Sequence, residues 1–178
     1  MTDTATMSDT RDIVIDEVFP HRPEVVWRTL TNAELIGRWL MVPTGFEPTK
    51  GKPFTFQTTP AGAWDGVIRC KVLEATPHER LVYAWTGGHD ANAQYGSRLE
   101  TIVTWMLTAV GGGTRLRLVH SGFRVPNNDF AFKRLSEGWP QVFRRIETIA
   151  GEQEAAETDA IDEDFPPIND PAPDPIEL

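Results

Sequence analysis

The chain has 178 residues and one cysteine, and 40% of its residues are hydrophobic, 10% aromatic and 24% charged. This length and composition are typical of one globular domain and argue against two full domains. No apolar stretch approaches the roughly 20 residues that a bilayer-spanning helix needs, so no membrane segment is expected. The lone Cys70 excludes an internal disulfide and a multi-cysteine zinc site. Together with an N-terminus that lacks the pattern of an export signal, it predicts a cytoplasmic location.

The formal net charge of −9 is divided unevenly along the chain. Residues 152–178 contain ten acidic residues, five prolines and no lysine or arginine, which predicts a disordered acidic tail. The rest of the chain contains sixteen acidic residues and all seventeen basic residues. It has no run of basic residues of the kind that binds the phosphate backbone of a nucleic acid. Nucleic acid is therefore not an expected partner. Residues 1–11 read as a second disordered tail, which leaves residues 12–151 as the folded domain.

The folded domain begins with a predicted strand over Asp12–Phe19, which is rich in β-branched residues and ends before Pro20. Pro23 then opens the first of two short amphipathic helices, because a proline loses no hydrogen bond at a helix start. Five further strands follow, joined by short turns rich in glycine and proline. Their predicted ranges are residues 54–59, 64–75, 80–86, 97–109 and 114–121.

The last element has a helical period. Apolar residues from Phe132 to Ile149 recur mostly at steps of three or four, which places them on one face of a helix about five turns long. Such a helix packs economically across the concave face of a curled sheet, because both apolar surfaces are then buried. The predicted fold class is therefore α+β, with a six-stranded antiparallel curved sheet, two short helices and one long C-terminal helix.

Six tryptophans and nine phenylalanines give the domain many large, rigid side chains that either fill a core or line a cleft. We predict a ligand-binding cleft between the long helix and the sheet. Its candidate residues are Trp39, Phe56, Trp85, Trp105, His120, Phe123, Trp139 and Phe143. Core packing is the alternative for each tryptophan, since tryptophan is highly buried on average.

Among the polar residues, His120 ends the sixth predicted strand on the same face as Leu116 and Leu118, which predicts an inward side chain. There it would contact a ligand or act as a base with a lowered pKa, or else be a core histidine bonded to backbone. Arg98 is expected to form a salt bridge or to orient a ligand carboxylate at the pocket mouth, and Asp65 to occupy a turn. No catalytic residue, metal ligand or cofactor motif is identified in the sequence.

A series of short motifs, taken in order, resembles a known family. The motifs include Glu24-Val-Val-Trp27, Glu34–Trp39, Trp64-Asp-Gly66, His120-Ser-Gly-Phe123 and Gly138–Val142. Over roughly residues 12–151 the chain resembles the heat-shock protein 90 ATPase-activator homologue family of the START-like (SRPBCC) superfamily. The resemblance implies a helix-grip fold, in which a six-stranded sheet wraps around a long C-terminal helix and leaves an apolar cavity between them.

Three functions are compatible with these features. The preferred one is a protein that binds an apolar or amphipathic small molecule in the cavity, without covalent chemistry and without a cofactor. The second is a co-chaperone-like interaction module, whose sheet surface or acidic tail contacts a chaperone or another protein. The third is an enzyme resembling the cyclases or dehydratases of the superfamily, with His120 as the acid–base residue. Exposed edge strands are compatible with either a monomer or a homodimer.

Overall fold

A computed structural model describes residues 9–164, and it describes side-chain surroundings for residues 9–158. The elements are β1 (Thr10–Phe19), α1 (Pro23–Thr31), α2 (Ala33–Trp39), β2 (Pro53–Gln57), β3 (Val67–Thr76), β4 (Arg80–Gly87), β5 (Leu99–Val110), β6 (Gly113–Arg124) and α3 (Asp129–Asp164). This order confirms the predicted α+β class. Among the described helices, none combines the length and hydropathy that a bilayer crossing requires.

The six strands form a single antiparallel sheet in the order β1-β6-β5-β4-β3-β2. The pairing aligns one residue from each of five strands in a row across the sheet. All five are buried, because alternation along each strand points them to the same, inner face. The row consists of Ile13, His120, Val103, Tyr83 and Val72.

The long helix α3 covers that inner face with its apolar stripe. Phe143 and Ile146 have no exposed surface, and the Phe143 ring stacks on Trp105 of β5 with centroids 5.8 Å apart. Burying one such phenylalanine contributes about 1.5–3 kcal/mol to folding. The predicted packing of one amphipathic helix against a curved sheet is therefore confirmed.

The two short helices connect β1 to β2 and close one side of the same core. Pro23 occupies the first turn of α1, and the Asn32 side chain caps α2 by accepting a hydrogen bond from the backbone N–H of Leu35 at 3.1 Å. Trp39 at the end of α2 donates its indole N–H to the Thr29 carbonyl of α1 at 2.9 Å. This bond fixes the angle between the helices and holds the buried Trp39 ring against the core.

Both predicted domain boundaries differ from the structure. Thr10 and Arg11 were expected in the N-terminal tail but belong to β1, because they pair with Arg124 and Phe123 of β6. The expected disordered tail from residue 152 is also wrong in its first part, since α3 continues to Asp164. The five prolines on which that expectation relied all lie beyond residue 165, whereas residues 152–164 contain none. Residues 165–178 lie outside the described part of the chain.

The extension of α3 beyond Gly151 is attached to the body by ion pairs. Glu154 accepts from His21 Nδ1 at 2.8 Å, and Glu157 accepts from Arg28 Nη2 at 2.5 Å and also from Arg22. Next to α2, Arg38 Nη2 lies 2.8 Å from Glu152 Oε1. Acidic residues that the composition assigned to a solvated tail thus neutralise basic residues around α1 and α2.

Candidate functional site

A cavity of about 200 Å³ lies at one end of the sheet, under the first two turns of α3. The end of α2 and the loops that follow β2 and β4 complete its wall. Most of the lining is apolar or glycine, and six large side chains define its shape. They are Leu40, Trp64, Trp85, Tyr95, Phe130 and Leu135.

The rim of the cavity is made by two loops that are hydrogen-bonded to each other. Asn92 in the β4–β5 loop donates to the Ala61 carbonyl at 2.7 Å and accepts from the Ala63 N–H at 3.2 Å. Tyr95 in the same loop donates its hydroxyl to the Thr59 carbonyl at 2.7 Å. These bonds cross from one loop to the other, so they hold the entrance in one shape.

Two glycines allow the β4–β5 loop to fold this closely. Gly88 has a φ of +75°, and a Cβ at this position would lie 1.9 Å from the carbonyl oxygen of Ser97. Gly96 has a φ of +86°, and its Cβ would lie 2.5 Å from Asn92 Nδ2 and 3.3 Å from the Trp64 ring. Any larger residue at either position would therefore displace the rim.

Three polar side chains of the cavity wall, those of Trp64, Tyr95 and Ser97, donate hydrogen bonds within the protein. The Trp64 indole N–H donates to the Val67 carbonyl at 3.1 Å, and the Ser97 hydroxyl donates to the Asn127 carbonyl at 3.0 Å. Arg134 is the one charged residue of the lining, and its guanidinium lies 5.6 Å from the centroid of the Phe130 ring. Within the described part of the chain, Arg134 forms no salt bridge.

The eight residues predicted from the sequence separate into two groups. Trp85 lines the cavity. The other seven are buried but do not line it. They are Trp39, Phe56, Trp105, His120, Phe123, Trp139 and Phe143.

These seven rings form an aromatic core behind the cavity. Trp105 lies at its centre, with ring centroids 5.6 Å from Trp39, 5.7 Å from Trp139 and 5.8 Å from Phe143. Such edge-on and offset contacts are the favoured geometry of aromatic pairs. They fill the space between the middle of α3 and the sheet, so the open volume is confined to the end of the sheet.

His120 is part of this core and has no exposed surface. Its Nδ1 accepts the indole N–H of Trp139 at 3.1 Å, and its Nε2 lies 2.8 Å from the Thr101 hydroxyl. Thr101 in turn donates to the Trp85 carbonyl at 2.8 Å, which assigns the imidazole proton to Nε2. Burial lowers the pKa of His120 to about 3, so the ring is neutral with both nitrogens bonded. The bonds go to side chains, whereas the sequence suggested backbone partners for a core histidine.

Arg98 and Asp65, the two other polar candidates, both have structural partners. Arg98 bonds Glu100 at 3.0 Å and lies 3.7 Å from Asp90, which matches the salt-bridge alternative and not the carboxylate-orienting one. Asp65 accepts from the Val67 N–H at 3.0 Å, and this bond, together with Arg69, lowers the pKa of the carboxyl. The turn interpretation of Asp65 is therefore supported.

Sequence reasoning missed most of the cavity wall. Trp64 and Tyr95 lie in loops, where no periodic pattern indicates which side chains converge. Phe130, Arg134 and Leu135 were within reach, because their spacing places them on one face of a helix. The predicted apolar face of this helix ran from Phe132 to Ile149 and included Leu135, but Phe130 and Arg134 were not among the predicted site residues. Among the described residues, the structure contains no group of three or more histidine, cysteine, aspartate or glutamate side chains that could hold a metal ion.

Comparison with known proteins agrees with this architecture. The family described as "Activator of Hsp90 ATPase homolog 1-like protein" matches residues 20–151. No curated protein matches the chain. A solved structure of a Mesorhizobium loti protein is 36% identical, with a TM-score of 0.70 over 80% of this chain and 98% of that one.

More distant solved structures share the fold. CalU16 from Micromonospora echinospora is 19% identical, with a TM-score of 0.61 over 88% of this chain and 86% of that one. The Aha1 dimer from Colwellia psychrerythraea is 17% identical, with a TM-score of 0.58 over 77% of this chain and 93% of that one. At these identities the likeness concerns the fold alone.

Proposed function

Since the chain belongs to the Activator of Hsp90 ATPase homolog 1-like family and has its helix and sheet arranged in a helix grip, we propose that it binds a small apolar or amphipathic molecule without covalent chemistry. The observation that carries this proposal is the apolar cavity of about 200 Å³ at the end of the sheet. An engineered protein cavity of about 150 Å³ binds benzene. The expected ligand is therefore a single ring with a short substituent, much smaller than a sterol or a long fatty acid.

The surroundings of the cavity favour binding over catalysis. Acid–base chemistry needs a group that contacts the substrate and changes protonation near neutral pH. His120 is sealed behind Trp85 with both nitrogens bonded, and the Arg134 guanidinium has donors but no acceptor. Cys70 does not line the cavity, and burial raises the pKa of its thiol to about 12. The cyclase-like alternative that depends on His120 therefore finds no support in this geometry.

Toluene binding tests the proposal. Ala131 lines the cavity from α3, so Ala131→Phe places a ring in the space that the ligand needs. We expect the wild-type chain to bind toluene and the Ala131→Phe variant to lose binding by about tenfold or more, while circular dichroism stays unchanged. Isothermal calorimetry measures both. Lys133→Ala, on an exposed position of the same helix, is the matched control and keeps full affinity.

Two results of this titration would contradict the proposal. If the wild-type chain binds no toluene, or if Ala131→Phe binds it as tightly as the wild type, the cavity is not the binding site. Leu135→Phe, which fills the cavity from another position, distinguishes this result from a local rearrangement at residue 131.

A second candidate function is a protein contact of the co-chaperone type, which the family name suggests. Three apolar side chains on the outer face of β1 and β5 are exposed: Val14 by 49%, Val18 by 60% and Ile102 by 40%. Exposed apolar groups of this kind occur at protein interfaces. If this face binds a heat-shock protein 90 chaperone, Val14→Lys abolishes capture of that chaperone and leaves toluene binding unchanged.

The compartment and assembly are proposed on separate grounds. We propose the reducing cytoplasm, because Cys70 is a free, buried thiol. We propose a monomer or a homodimer, since the outer edge of β1 pairs with no strand of the described sheet, whereas the outer edge of β2 is bridged to Thr44.

A further inference from the structure

We infer that Arg134 binds the carboxylate of a small aromatic acid whose ring occupies the cavity; this inference rests on the proposed function and specifies its ligand class. The cavity is apolar and has room for one ring, and the one charged group that lines it, among the described residues, is the Arg134 guanidinium. An amphipathic ligand with one anionic end matches both features.

Arg134 is the charged donor of the cavity wall, and it forms no salt bridge within the described residues. The indole of Trp64, the hydroxyl of Tyr95 and the hydroxyl of Ser97 each donate to a backbone carbonyl. Using any of them for a ligand would break an existing bond, which costs more for the part-buried bonds of Trp64 and Ser97 than for the exposed bond of Tyr95. The Arg134 guanidinium lies over the Phe130 ring, 5.6 Å from its centroid, and its donors are not used in a salt bridge with any described residue.

The geometry also selects the type of head group. A guanidinium has a planar fork of donors that binds a carboxylate through two parallel hydrogen bonds. One arginine balances a single negative charge, which suits a carboxylate better than a doubly charged phosphate monoester. A cationic ligand would be repelled by Arg134, and no acidic side chain among the described residues lines the cavity to compensate.

Arg98 provides an internal comparison. It lies just before β5, near the same loop, but Glu100 and Asp90 already occupy its guanidinium. Only an arginine without such partners is free to attract an anionic ligand. Arg98→Gln is therefore a suitable control for Arg134→Gln, since both remove one positive charge from the same end of the protein.

Calorimetry on the full chain with matched probes tests the inference. Phenylacetate and phenylacetamide have nearly the same size and differ in charge, and toluene has no head group. We expect the wild type to bind phenylacetate about tenfold more tightly than phenylacetamide, in line with a charge-assisted hydrogen bond. Arg134→Gln removes this preference, Arg134→Lys keeps part of it, and Arg98→Gln keeps all of it.

The results separate the inference from the proposed function. If toluene binds but phenylacetate and phenylacetamide bind equally, or if Arg134→Gln weakens both probes alike, the role of Arg134 is wrong and the cavity proposal stands. If the wild type binds none of the three probes, the cavity proposal fails and the inference fails with it. Toluene binding to Arg134→Gln at wild-type affinity shows that this variant is folded.

Discussion

His120 is a neutral acceptor and donor inside an aromatic core. Trp139, His120, Thr101 and the Trp85 carbonyl form a continuous chain of hydrogen bonds, which leads from α3 to the wall of the cavity. A protonated imidazole could not accept from Trp139, so the chain of bonds requires the neutral ring. The histidine therefore positions Trp85 through Thr101 and does not itself meet a ligand.

This arrangement predicts a specific dependence of stability on pH. The folded pKa of His120 is about 3, against an ordinary value of 6.5, so the unfolded chain binds a proton that the folded chain excludes. The contribution of His120 to the free energy of unfolding is complete above pH 6.5, and it declines as the pH falls from 6.5 to about 3. The decline is at most about 1.4 kcal/mol per pH unit.

Urea unfolding of the wild type and of His120→Gln at several pH values measures the effect. Carboxylates lose their ion pairs in acid in both proteins, so the difference between the two curves isolates His120. We expect the wild type to lose more stability than the variant as pH falls below 6.5. Two parallel curves would mean that His120 titrates normally in the folded state.

At the scale of elements, α3 has two parts that depend on different interactions. Up to Ala150 its buried face packs on the sheet through Trp139, Phe143 and Ile146. Beyond Gly151 it depends on ion pairs with α1 and its flanking residues. Exposed ion pairs are individually weak and are screened by salt, so the second part should open more easily than the first.

Hydrogen exchange tests this division. The bond from His21 lowers the pKa of Glu154, and the bond from Arg28 lowers that of Glu157, so these contacts hold above the ordinary carboxyl pKa of 4.5 and are lost as pH falls below it. Glu154→Gln combined with Glu157→Gln should speed amide exchange in residues 152–157 at neutral pH, leaving residues 139–150 protected. Glu137→Gln, at an exposed position without an ion pair among the described residues, should change neither segment. Equal exchange in all variants would mean that the ion pairs do not hold the extension.

The helices and strands were largely predictable because their periods are strong. β-Branched content and the Gly- and Pro-rich turns indicated the six strands, and the apolar stripe from Phe132 to Ile149 indicated α3. The end of α3 was missed because the whole segment after Gly151 was judged by its total charge and prolines, although the prolines come only after Phe165. The hydrogen bond between Glu154 and His21 connects residues far apart in the chain, and no local pattern reveals it.

For the whole molecule, the sequence predicted a cleft between the long helix and the sheet, whereas the structure has an open space only at one end of the sheet. The aromatic residues that seemed suited to line it instead pack against one another around Trp105. Which rings fill a core and which surround a space depends on how loops close over the sheet end, and Trp64 and Tyr95 contribute from such loops. Only Trp85 belonged both to the predicted set and to the cavity wall.

The proposed function requires that the ring of a small ligand occupies the cavity under the first turns of α3. Titration of the full chain with toluene, followed by amide and indole NMR signals, tests it most directly. We expect the indole signals of Trp64 and Trp85 to shift strongly, and those of Trp105 and Trp139 to shift little. The absence of any shift, or shifts centred on Trp105 or on the outer face around Val14, would contradict it.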